Sequence, residues 1–96
     1  MQRCELVTGR HRIPIVLFGE GKRCLVCVNA AQQTMGAWGP LARRFAGRGD
    51  YRVVLFDFPN QGRAAPAAGA LGLIEQAEIL HAVFSQVSPE DPVDLC

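Results

Sequence analysis

Cys24 and Cys27 stand three residues apart, the spacing of many zinc and dithiol sites, so they are the first residues to test for chemistry. They fall inside an apolar run, Cys24 to Val28, that reads as a buried strand, and in a strand positions i and i+3 point to opposite faces. One metal ion cannot take both thiolates from that geometry, and no second CxxC or histidine pair completes a tetrahedral set. A thioredoxin-type dithiol sits at a helix N-terminus after a strand, not within one. Core packing is therefore the expected role of both cysteines. The two histidines, His11 in an early turn and His81 on a helix, are expected at the surface. Ser85 and Ser88 lie at a helix end without a neighbouring base, so neither has the context of a nucleophile. Asp57 follows a strand directly, where a carboxylate can act in catalysis or bond backbone N–H groups of the turn. The second role is favoured because no partner base is recognisable. There is no glycine-rich phosphate loop of either common form.

The elements that position these residues are legible from periodicity. Tyr51 to Ala64 divides into an apolar strand pattern, Val53-Val54-Leu55-Phe56, and a polar turn containing Asp57, Pro59, Asn60 and Gly62. A buried parallel strand running into such a loop is where open α/β sheets place their binding crevices. Cys4 to Thr8 and Ile13 to Phe18 are short strands, close enough to pair antiparallel across a Gly9–Arg12 break. Pro14 puts its end of the second strand at an edge or bulge. Cys24 to Val28 is the third strand, and the small, polar stretch Asn29 to Thr34 follows it.

A helix is expected next, with Trp38, Leu41, Ala42, Phe45 and Ala46 on one face, Thr34 as N-cap, and Gly47 and Gly49 as stop signals. Residues 60 to 72 are rich in Ala, Gly and Pro without a period and read as a loop. A second helix carries Leu73, Ala77, Leu80, Phe84 and Val87 on its apolar stripe, with Glu75, Glu78 and His81 off it. It ends near Ser88–Pro92, and a last strand begins at Val93. The order β-β-β-α-β-α-β predicts an α/β fold with a mostly parallel sheet.

Residues 1–96 fit one domain, and a chain this short buries only about 60–65% of its unfolded surface. A formal charge of +1 with scattered arginines argues against nucleic acid as a partner. No stretch approaches the roughly 20 apolar residues of a membrane helix. The N-terminus lacks the apolar core of a signal peptide, so the cytoplasm is the expected compartment, with Cys4, Cys24, Cys27 and Cys96 reduced.

From Arg12 to Cys96 the chain resembles the N-terminal segment of the α/β-hydrolase family. There a strand leads to a His-Gly loop, a helix carrying Trp or Phe follows, and the next strand ends D-x-P-G-x-G-x-S. Here Asn29-Ala30 stands in the His-Gly place, Trp38 matches the helical aromatic, and Asp57 to Ala64 matches the second motif. The departures are Asn29 for His, Ala30 for Gly, Asn60 for the first Gly and Ala64 for Ser. These look closer to the hydroxyacyl acyltransferases that make hydroxyalkanoyloxyalkanoates for rhamnolipids, and to their transacylase relatives. The matching segments are Val28 to Ala31 (VNAA), Val54 to Gly62 (VLFDFPNQG), Gly72-Leu73-Ile74 and Glu78-Ile79-Leu80.

The resemblance implies an oxyanion hole built partly from the backbone N–H of Ala31, with Gln32 as its neighbour, and supported by Asn29, Asp57 and Gly62. It implies serine-ester acyl transfer or hydrolysis on a small acyl substrate, such as a hydroxyacyl-CoA or acyl-carrier-protein thioester, with no cofactor and no metal. The Ser-Asp-His triad has no counterpart among residues 1–96. The nucleophile elbow would follow the strand starting at Val93, so the chain is expected to be the leading third of an enzyme and inactive alone. A generic esterase or lipase is a second enzyme reading. A non-catalytic α/β module that binds a ligand or partner is the reading from another class.

Overall fold

The computed structural model describes residues 1–9, 11–29, 34–59 and 72–96. Five strands, β1 (Gln2–Thr8), β2 (His11–Phe18), β3 (Arg23–Cys27), β4 (Tyr51–Phe56) and β5 (Val93–Leu95), form one sheet in the order β1-β2-β4-β3-β5. β1 and β2 pair antiparallel, as do β2 and β4, whereas β3 runs parallel to both β4 and β5. A 3-10 turn (Met35–Trp38) leads into α1 (Gly39–Ala46) between β3 and β4, and α2 (Leu73–Val87) connects β4 toward β5. The expected order of elements and the mostly parallel arrangement of the later strands hold.

The apolar run of β4 is two-sided because the sheet is covered on both faces. Val54 and Phe56 join Ile13, Ile15, Cys24 and Val26 beneath α2, which contributes Ile79 and Val83. Val53 and Leu55 join Val16, Leu25 and Cys27 beneath α1, which contributes Ala42, with Trp38, Leu41 and Phe45 packed alongside. Cys24 and Cys27 thus lie on opposite faces of β3, as strand alternation requires. Among the described residues all four cysteines are free thiols.

Of four local expectations, three shift and one holds. First, β2 begins at His11 instead of after Arg12, and His11 is only 8% exposed, not a surface residue. Its Nε2 lies 2.5 Å from Glu75 Oε2 at the start of α2, so Glu75 also faces inward. Second, the edge expected at Pro14 is found within β2, because the β2–β4 ladder covers only Ile15–Phe18 and leaves Pro14 paired with β1 alone. Third, Thr34 caps the 3-10 turn and not the helix, and its side chain makes no capping bond. Fourth, α2 is rotated from the expected stripe. Leu73 and Ala77 are exposed, and the helix packs through Ile79 and Val83 with Leu80, Phe84 and Val87 beside them. Spacings of three and four allow either face, and contact with the sheet selects one.

Burial sets the ionisation of Cys27. It is 0% exposed, and desolvation, with the neighbouring Cys96 thiol as a lesser cause, pushes its pKa from 9.0 up to about 11. Burial likewise raises Cys24, partly offset by the Arg52 guanidinium. Below pH 9 both folded and unfolded chains hold Cys27 as the thiol. Above it the unfolded chain ionises first, so stability falls until the folded pKa is passed. The expected loss is about 2 kcal/mol between pH 9 and 11, at about 1.4 kcal/mol per unit. Urea midpoints measured across that window for the native chain and for Cys27→Ala check it, since the variant should show a visibly shallower alkaline decline. Equal slopes would remove Cys27 from the account.

Candidate functional site

The parallel register of β3 and β4 pairs Cys27 with Leu55, and two residues further on Asn29 and Asp57 leave the sheet side by side. Both are polar and both are buried, at 7% and 1% exposure. An amide and a carboxylate in that setting must find partners, because an unmade hydrogen bond there costs about 1–3 kcal/mol per group. They find each other. Asn29 Nδ2 donates to Asp57 Oδ1 at 3.0 Å and to the Phe56 carbonyl at 2.9 Å. The Met35 backbone N–H donates to the same Asp57 Oδ1 at 2.7 Å, and Trp38 Nε1 donates to Asn29 Oδ1 at 2.9 Å. No buried side-chain nitrogen or oxygen among the described residues lacks a partner.

This network explains the sequence locally. Asn29 lies two residues past the end of β3, and Met35 and Trp38 are the first and last residues of the 3-10 turn on the far side of residues 30–33. Asp57 ends β4. Three bonds therefore pin both ends of the loop that leaves β3 to the carboxylate and amide at the two strand ends. The expectation that Asp57 bonds backbone N–H groups is met at Met35, whose N–H comes from the other loop. Trp38 was expected as an apolar helix residue. Its ring packs against the α1-side core while its N–H orients Asn29. The role of Met35 could not be read from its type, since a backbone donor leaves no mark in the sequence.

Of the residues expected at an oxyanion loop, Asn29 and Asp57 come together, whereas Ala31, Gln32 and Gly62 lie outside the described residues. Fixed backbone N–H groups beside a strand end are suited to stabilising charge that develops on a substrate oxygen, because they need no reorganisation during reaction. His81 and Ser85 sit on the outer face of α2, with Ser85 Oγ donating to the His81 carbonyl at 3.0 Å. Ser88 Oγ donates to the Asp91 carbonyl at 3.0 Å, while its backbone N–H caps the helix by donating to the Phe84 carbonyl. Among the described residues neither serine hydroxyl bonds to Asp57 or to a histidine ring. Among the described residues no cluster of three or more His, Cys, Asp or Glu side chains has a geometry to hold a metal. Among the described residues no helix is long and apolar enough to cross a membrane.

A pocket of about 310 Å³ opens next to Asp57 on the α1 face, over Val16, Phe18 and Leu55, with Arg43 at its rim. Its floor is the sheet itself, and it meets the network only through Met35 and Asp57. It is a gap in the cover of the sheet more than a cleft at the strand ends.

No protein-family model and no curated protein matches the chain. Solved structures do. A thioesterase domain from the curacin biosynthetic pathway superposes with a TM-score of 0.88 at 22% identity, over 99% of this chain and 36% of that one. An epoxide hydrolase from Vigna radiata gives 0.87 at 14% identity, over 98% of this chain and 30% of that one. An α/β-hydrolase-fold protein from Burkholderia ambifaria gives 0.77 at 23% identity, over 86% and 30%. The chain spans about a third of the length of these structures. Its five-stranded mixed sheet and helices have the fold of the N-terminal part of an α/β-hydrolase.

Proposed function

We propose that this chain is the oxyanion-loop portion of an α/β-hydrolase-fold enzyme that works by serine-ester acyl transfer or hydrolysis, with hydroxyacyl thioesters or esters as its substrate class. The observation that carries the reading is the buried Asn29–Asp57 pair, which ties the loop leaving β3 to the end of β4 through Met35 and Trp38. In this reading Ala31 supplies the backbone N–H that meets the substrate oxyanion, and Gln32 flanks it. Asn29, Asp57 and Gly62 hold the loop and touch no reacting atom. The nucleophile and its base lie outside residues 1–96. Likeness to a thioesterase domain supports an acyl thioester as the electrophile, and the small Ala30 and Ala31 side chains suit an apolar acyl chain.

The experiment uses a fluorophosphonate, which esterifies only an activated serine. Residues 1–96 alone are expected to take no label, whereas the full protein encoded by the gene is expected to be labelled at a serine beyond them. It should also release thiol from a hydroxyacyl thioester. Labelling at Ser85 or Ser88, or no labelling of the full protein, would overturn the proposal, and the second outcome would favour the non-catalytic binding module. In the full protein, Ala31→Pro deletes the proposed donor and should lower kcat by about 10²–10³. An unchanged kcat would move the oxyanion hole elsewhere.

A further inference from the structure

Trp38 stands at a joint. It is the last residue of the 3-10 turn and the N-cap of α1, with φ −87° and ψ −4°. Pro40, in the first turn of α1, holds its own φ and stiffens the joint. The turn is seated in the core through Met35 and the helix through Ala42, both buried. The indole is therefore carried on a fixed element, and its N–H reaches nine positions back to Asn29 Oδ1 at 2.9 Å.

The Asn29 amide has one workable orientation. Its Nδ2 faces two acceptors, Asp57 Oδ1 at 3.0 Å and the Phe56 carbonyl at 2.9 Å. Its Oδ1 faces an indole N–H, a group that can only donate. Turned over, the amide would set donor against donor at Trp38 and acceptor against acceptor at Asp57. Asp57 Oδ1 in turn receives the Met35 N–H at 2.7 Å. The indole N–H thus sets the direction of a chain of bonds from α1 to Asn29, to Asp57 and back to Met35. Asn29 and Met35 are the two residues between which the oxyanion loop is strung.

We propose that Trp38 is a positioning residue: through Asn29 and Asp57, its indole N–H sets where that loop presents its backbone donors to a substrate oxyanion. The inference rests on the acyl-transfer reading above. Trp38 touches no reacting atom. Its removal is felt where the loop's donors must meet the oxyanion, in the transition state, and little in substrate binding. A misplacement of about 1 Å at such a site costs up to about 100-fold in rate.

The test uses the full protein encoded by the gene, a hydroxyacyl thioester, and two replacements at position 38. Trp38→Phe keeps an aromatic ring without a donor. Benzothienylalanine, incorporated at position 38 alone, keeps the size and shape of the indole and puts sulfur where the N–H was. Both are expected to lower kcat about 10–100-fold with KM held within about twofold. Both should also speed hydrogen exchange at the Met35 amide, while the amides of β3 and β4 keep their protection. A loss carried by KM, or faster exchange throughout β3 and β4, would show that the ring only packs and would overturn the inference. So would an unchanged kcat in protein whose serine takes the fluorophosphonate, a result that leaves the acyl-transfer reading standing. An unlabelled native protein removes that reading, and this assignment with it.

Discussion

Asp57→Ala is expected to cost about 3–4 kcal/mol, enough to leave much of a 96-residue chain unfolded at room temperature. The reason is the number of donors it would orphan. Asp57 Oδ1 accepts from both the Met35 N–H and the Asn29 amide, and the carboxylate is 1% exposed, so water does not readily replace it. Each buried donor left without an acceptor costs about 1–3 kcal/mol. Asp57→Asn keeps a carbonyl oxygen in the same place and should cost about half as much. The loss should also be visible locally. Trp38 is the sole tryptophan, and its N–H holds the Asn29 carbonyl that the same network orients. Urea unfolding followed by tryptophan fluorescence and by far-ultraviolet circular dichroism gives both readouts. A loss below about 1 kcal/mol in Asp57→Ala would show that the strand-end loops are held by something other than this carboxylate.

Gly21→Ala should be nearly as damaging, by about 3 kcal/mol, because Gly21 is buried in the turn between β2 and β3. A Cβ built there would fall 2.2 Å from the Asp50 carbonyl carbon and 2.3 Å from the Tyr51 nitrogen. Both are backbone atoms entering β4, so they cannot swing aside as a side-chain tip would. Relief requires the β2–β3 turn to move away. That would stretch the bonds Gly21 N–H to Tyr51 carbonyl, Arg23 N–H to Asp50 carbonyl, and Arg52 Nη1 to Gly21 carbonyl. Gly49 is the useful contrast. Its φ is +85°, but nothing lies within 4 Å of a Cβ there, so Gly49→Ala carries only the conformational cost of about 1 kcal/mol. Urea midpoints of the two variants should therefore differ clearly, with Gly21→Ala the lower. The reverse order would mean that the turn relaxes freely and that the close approach matters little.

The sequence by itself determined the elements and their order. Continuous apolar runs at Cys24–Val28 and Val53–Phe56 can be stable only as strands covered on both faces, and period-2 alternation then sends Cys24 and Cys27 apart without any further information. The Asp-x-Pro turn after β4 likewise located a strand end where a site could form. Tertiary structure decided what periodicity leaves open. The face of α2 that meets the sheet was ambiguous, because Leu73-Ala77-Leu80 and Ile79-Val83-Val87 are both apolar stripes, and only packing against β1–β4 chose the second. His11 became buried because the first strand pair turns one residue pair earlier than the Gly9–Arg12 pattern implied, which brings it against Glu75, 64 positions away. The Asp57–Met35 bond and the Gly21–Asp50 approach join backbone atoms, and every residue type has those. Such contacts carry no compositional signature, so they come into view only when parallel pairing sets two distant strand ends side by side.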